Sequence, residues 1–138
     1  MLKKILLIVG LLLILILGLQ FFWYHKYGGN LIIYIANSTE TYQSLHVEIG
    51  VDDEIIGEYI LSNEGIINYH IVPLRKSIGN RKIYINVNHG EFLSEKKIAL
   101  INIRWLIVDV LNKNNLFNEE EEQLKISTYS QFKPPILR

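Results

Sequence analysis

His46 and Glu48 stand two residues apart in a stretch that alternates apolar and polar side chains, so both project from one face of a strand and could approach a common cation. A zinc site needs a further ligand, and neither His70 nor His89 stands at a spacing that supplies it; both read as strand-edge or turn histidines, and no metal is expected. Asp52-Asp53-Glu54 and Glu119-Glu120-Glu121-Glu122 offer the hard oxygen ligands that calcium prefers. Neither follows the D-x-[DN]-x-[DN]-G loop pattern, so the first reads as a hairpin tip and the second as a solvated loop. Arg75, Lys76, Arg81 and Lys82 gather around one turn and could meet anionic headgroups, but outside the cell that field is weaker and a solvated turn accounts for them better. Tyr84 and Tyr129 project from the polar faces of their strands, where exposed rings can stack on sugars; these two are the ligand-facing candidates.

Signatures of catalysis are missing. The chain has no G-x-S-x-G elbow, no H-E-x-x-H and no phosphate-cradling glycine loop. Cysteine is absent, which excludes disulfides, thiolate metal sites and a cysteine nucleophile. No catalytic residue and no cofactor are therefore expected, and the chain does not read as an enzyme. Asn37-Ser38-Thr39 matches a glycosylation acceptor, which matters only on a luminal domain in a glycosylating organism. With 14 Lys+Arg against 14 Asp+Glu, the chain lacks the basic excess of a nucleic-acid binder. At 49% apolar and 20% charged residues it is too apolar for disorder, and 138 residues allow one domain with a short appendage.

That appendage is the clearest signal. After residues 1–4, with Lys3 and Lys4, the run Ile5 to Tyr24 carries no charge and only Gln20 as a strongly polar side chain. Twenty helical residues at about 1.5 Å each span roughly 30 Å, the hydrocarbon thickness of a bilayer. Phe21, Phe22, Trp23, Tyr24 and Tyr27 form an aromatic cluster suited to the lipid–water interface. A cleaved signal peptide is the rival, but the run exceeds the roughly 7–15 residues of a signal's apolar core and no A-x-A-like site follows. Residues 5–24 are thus expected to be a transmembrane signal-anchor helix. Lys3, Lys4 and the free amine place residues 1–4 in the cytoplasm and the remainder outside. Residues 25–30 form a short juxtamembrane linker, in which Gly28-Gly29-Asn30 reads as a hinge of loose backbone.

Beyond residue 30 the period becomes two. Leu45, Val47, Ile49 and Val51 alternate with His46, Glu48, Gly50 and Asp52; Ile83, Ile85 and Val87 alternate likewise, as do Leu124, Ile126 and Thr128. Leu31 to Ala36, Ile55 to Leu61 and Ile66 to Val72 are further strands, the last ending before Pro73. Phe92 to Ile101 and Ile103 to Leu111 are separated only by Asn102, as one bulged strand or two meeting at a sharp corner. In the second run, Trp105 and Ile107 share one face and Leu106, Val108 and Val110 the other. Both faces being apolar, this strand is central or covered by a terminus, and Asp109 needs a partner or a place at the sheet end. The expected fold is all-β: an antiparallel two-sheet β-sandwich of seven or eight strands over residues 31–130, with residues 131–138 as a tail.

The stretch Val47-Glu48-Ile49-Gly50-Val51-Asp52-Asp53-Glu54-Ile55-Ile56-Gly57 resembles the strand–turn–strand opening of small bacterial surface modules of the immunoglobulin-like or PEGA-like kind. Pro73 to Ile85 is similar to their glycine turn and next strand, and Trp105 to Val110 with Leu124 to Ser130 to the closing hairpin of membrane-anchored β-sandwich proteins. The expected glycine after Asp52 is Asp53 here, and the resemblance implies a fold without a chemistry. The function expected is a single-pass, membrane-anchored, non-catalytic binding or structural module of the cell envelope. Its partners would be the bilayer through residues 5–24 and another envelope protein; carbohydrate or small-ligand binding is the alternative.

Overall fold

A computed structural model of the chain describes residues 2–40, 42–63, 68–90, 92–112, 124–132 and 135. Glu119 to Glu122, the turn residues Glu64 and Gly65, Ile66 and Ile67 of one expected strand, and most of the tail lie outside the described residues.

A run dominated by Leu and Ile makes the helix α1 (Leu2–Tyr27), long and apolar enough to cross a membrane. Eight strands follow: β1 (Leu31–Asn37), β2 (Ser44–Val51), β3 (Glu54–Ser62), β4 (His70–Leu74), β5 (Gly79–Val87), β6 (Phe92–Leu100), β7 (Arg104–Asn112) and β8 (Leu124–Gln131). They form two four-stranded sheets, ordered β4-β1-β7-β8 and β3-β2-β5-β6. The alternating residues point as their period demands. Val47 and Ile49 of β2, Ile83 and Ile85 of β5, Ile33 and Ile35 of β1, and Leu106 and Val108 of β7 meet in one inner core. Each such side chain is worth roughly 1.5–3 kcal/mol when fully buried, so this body holds together without disulfides.

Three features depart from a plain antiparallel reading. β1 and β7 pair in parallel, Leu31 opposite Arg104 through Asn37 opposite Val110. A parallel pair needs a long crossover, and here that crossover is the other sheet plus β4, which carry the chain between the two strands. The expected strand end before Pro73 is also overtaken: Pro73 lies inside β4, paired with Ile32. β4 is an edge strand, where a residue without an N–H forfeits no ladder bond on its free side. Finally, β6 and β7 belong to different sheets, so residues 101–103 are a sharp corner rather than a bulge.

Candidate functional site

The apolar side chains on the outer face of the β4-β1-β7-β8 sheet build a second cluster. Ile32 and Tyr34 of β1 and Trp105 of β7 are buried there with Ile103, and Trp23, Tyr24 and Tyr27 from the end of α1 pack against them. Trp105 is wholly enclosed. The Trp23 ring meets it edge-on at 5.3 Å between centroids and 86°, and the Tyr27 ring does the same at 5.9 Å and 86°. Edge-to-face geometry sets the positive ring edge against the negative face, worth about 0.5–1.5 kcal/mol per pair beyond burial. The expected interfacial cluster is thus divided: Trp23, Tyr24 and Tyr27 turn to the sheet, while Phe21 and Phe22 face outward.

Gly28 to Asn30 hold this joint in place. Gly28 takes φ +77°, the left-handed cap that ends many helices, and its N–H donates to the Tyr24 carbonyl at 3.0 Å. Arg75 Nε donates to the Gly28 carbonyl at 3.2 Å, and its guanidinium lies 5.5 Å from the Tyr24 ring centroid. A Cβ on Gly29 would collide with the backbone of Leu74. The Asn30 N–H donates to the Leu74 carbonyl at 2.9 Å, and its own carbonyl accepts from the Arg104 N–H at 2.8 Å. The Asn30 side chain closes a two-way bond with the Lys76 backbone at 2.7 and 2.9 Å. The expected loose hinge is instead a clamp, since Asn30 uses both backbone and side-chain groups to join the end of β4 to the start of β7. The last helical turn also takes in residues 25–27 of the expected linker.

Farther along the same outer face lies Asp109. Burial pushes its carboxyl above the ordinary aspartate range, while hydrogen bonds from the Tyr69 and Ser38 side chains act the other way; Oδ1 is buried without a partner among the described residues. Burial also raises the Tyr69 hydroxyl, with the Asp109 charge adding to it.

The other sequence candidates fall in separate places. His46 and Glu48 share the outer face of the β3-β2-β5-β6 sheet, but His46 Nε2 turns to Glu58 at 3.3 Å and its ring stacks on His89 at 4.2 Å. His70 instead leans on Tyr59 at the edge, 4.6 Å away. Among the described residues no three His, Asp or Glu side chains are grouped to hold a metal ion. The Asp52-Asp53-Glu54 tip lies beside the basic turn and partners it: Arg81 reaches Asp52 at 2.9 Å and Lys76 reaches Glu54 at 2.7 Å. The Lys82 N–H and then Arg81 hold the Asp52 carboxyl below the usual range. Lys82 pairs with Glu95 at 2.7 Å.

Tyr84 and Tyr129 are on different sheets, so they share no platform. The Tyr84 ring lies over Gly50, opposite it on β2, where a Cβ would strike the ring. Tyr129 is exposed beside its partner Ile107. Asn37 is buried, and its amide donates to the Tyr42 carbonyl at 2.8 Å, which removes it as a glycosylation acceptor in the folded chain. Sequence reasoning missed the helix–sheet joint, although the two apolar faces of β7 and the unbroken apolar run of β1 were its signal. Compared with protein-family models and with curated proteins, this chain matches none.

Proposed function

We propose that the chain is a single-pass membrane protein in which α1 stays as a permanent anchor and holds the sandwich, in a fixed attitude, as a non-catalytic binding or structural module of the cell envelope. Residues 1–4 lie on the cytoplasmic side and the sandwich on the outer side, as Lys3 and Lys4 favour. The observation that carries this reading is the burial of Trp105 under Trp23 and Tyr27. A peptidase cutting just after residue 24 would strip the sandwich of the Trp23 and Tyr24 rings, leave Tyr27 on a frayed end and open Trp105 to water on the Trp23 side, which favours a sandwich that keeps its helix. A carbohydrate-binding role has less support, because the two tyrosines that suggested it face opposite ways.

Membrane fractionation of cells producing the full chain tests the proposal. The intact chain, with Met1 or its neighbour still present by mass spectrometry, should resist alkaline extraction. Protease added outside the cytoplasmic membrane should degrade the sandwich, and crosslinking in intact membranes should return a reproducible envelope neighbour. A mature chain that starts beyond residue 24 and stays in the supernatant would overturn the anchor. A sandwich recovered only as an isolated monomer would overturn the module.

A further inference from the structure

The strand register brings one set of loops to the end of the sandwich where α1 arrives. β1 and β7 start there, at Leu31 and Arg104, and β4 and β8 finish there, at Leu74 and Gln131. The other sheet brings the start of β5 and the end of β6 to the same side, joined to the first by Arg104 Nε donating to the Ala99 carbonyl at 3.1 Å. The loops at this end carry large apolar side chains in the open: Ile78 is 73% exposed, Ile101 60% and Phe132 57%. The described loops at the opposite end expose no large aliphatic side chain, with Ser38, Thr39 and Glu40 in one and Asn88, His89 and Gly90 in another, although Ile60 and Leu93 are exposed on the strands that lead into that end. Cations prevail at the helix end: Lys26, Arg75, Lys76, Arg81 and Arg104 outnumber Asp52, Asp53 and Glu54. The Arg104 guanidinium sits 3.3 Å from the centroid of the Phe132 ring, an amphipathic pair with one apolar and one charged side.

Depth follows from Trp23. This residue belongs to the apolar span Ile5 to Tyr24 and also touches Trp105, the second residue of β7. If the span fills the hydrocarbon layer, the first residues of β7 and the corner before them cannot stand clear of the membrane. The Gly28–Asn30 clamp leaves no slack to lift them.

We infer that the helix end of the sandwich is seated in the headgroup layer of a phospholipid bilayer, with Ile78, Ile101 and Phe132 in the interface and the exposed Arg75, which has no acidic partner among the described residues, against lipid phosphates. The inference rests on the reading of α1 as an anchor. Apolar side chains at this depth gain transfer energy, and a guanidinium beside lipid phosphates gains charge-assisted hydrogen bonds.

The absence of cysteine makes the test direct. Full-length chains carrying Ile78→Cys, Ile101→Cys, His89→Cys or Leu12→Cys are labelled with one environment-sensitive fluorophore. They are then placed in nanodiscs of phosphatidylcholine and phosphatidylglycerol in equal parts, with a share of lipid bearing a nitroxide near its headgroup. Labels at 78 and 101 should be quenched several-fold more than the label at 89, at the far end of the sandwich. Replacing phosphatidylglycerol by phosphatidylcholine should weaken that quenching. Quenching at 78 and 101 no stronger than at 89, with the Leu12 label blue-shifted in lipid, would overturn the seating and leave the anchor standing. A Leu12 label reporting water would overturn the anchor and the seating together.

Discussion

Asp109 sits on an outer sheet face beside buried aromatic groups, and its ionised form is the less favoured one there. Its native pKa lies above that of the unfolded chain, about 3.9, so the folded state binds more protons between those two values and stability falls as pH rises through that window. Asp109→Asn keeps an acceptor for Tyr69 and Ser38 and removes the charge. The variant should therefore unfold at a higher denaturant concentration than the parent at neutral pH, with the difference shrinking as pH drops below the unfolded value. An unchanged difference across that range, read by urea titration at several pH values, would contradict the burial account. The sequence already asked for a partner to Asp109 or a place at the sheet end, because apolar neighbours flank it on both sides of β7. That Tyr69 supplies it was not legible, since β4 and β7 meet only through β1 between them. The same holds for Tyr84. Its polar-face position was readable from the alternation in β5, but the glycine beneath it depends on the β2–β5 register.

At the scale of elements, period-two alternation located β2, β5 and β8, because a one-residue slip in any of them would bury charge. Element ends and partners were harder to read. Alternation says which face is inward and nothing about which strand lies alongside, so the parallel β1–β7 pair had no local signal. A proline reads as a stop only if its strand is internal, and β4 is at an edge. Gly28-Gly29-Asn30 illustrates the same ambiguity, since paired glycines suit a flexible link and a close approach equally well. Leu74 decides for the close approach. Gly29→Ala should drive a methyl into the Leu74 backbone, which cannot swing aside as a side chain could. A loss of about 1–3 kcal/mol is expected, visible as a thermal midpoint lowered by several degrees. Gly18→Ala, with open space around it, serves as the control and should leave the midpoint of the sandwich unchanged. Equal tolerance of both substitutions would restore the flexible link.

The whole molecule combines two clusters that do different work. The inner core lies between the sheets and owes nothing to α1, whereas the outer cluster exists only where helix and sheet meet. Removing the helix rings should therefore separate attitude from stability. In a chain with Trp23→Ala and Tyr27→Ala, Gly28 remains as a pivot without the two ring contacts that brace Trp105. Trp105 is then the only tryptophan, and its emission should shift to the red as its cover goes. In a nanodisc, anisotropy decay from a label at His89→Cys should gain a nanosecond component from a sandwich swinging on its anchor. In the parent chain the label should follow the slow tumbling of the disc. The sandwich should lose about 1–3 kcal/mol for the two edge-to-face pairs, with the lost burial in addition, and should still unfold cooperatively in urea because the inner core is untouched. Unchanged anisotropy would mean that the Asn30 clamp and the lipid-facing loops fix the attitude by themselves. Loss of all cooperative unfolding would mean that the outer cluster is part of the folding core, and that anchor and sandwich are a single body.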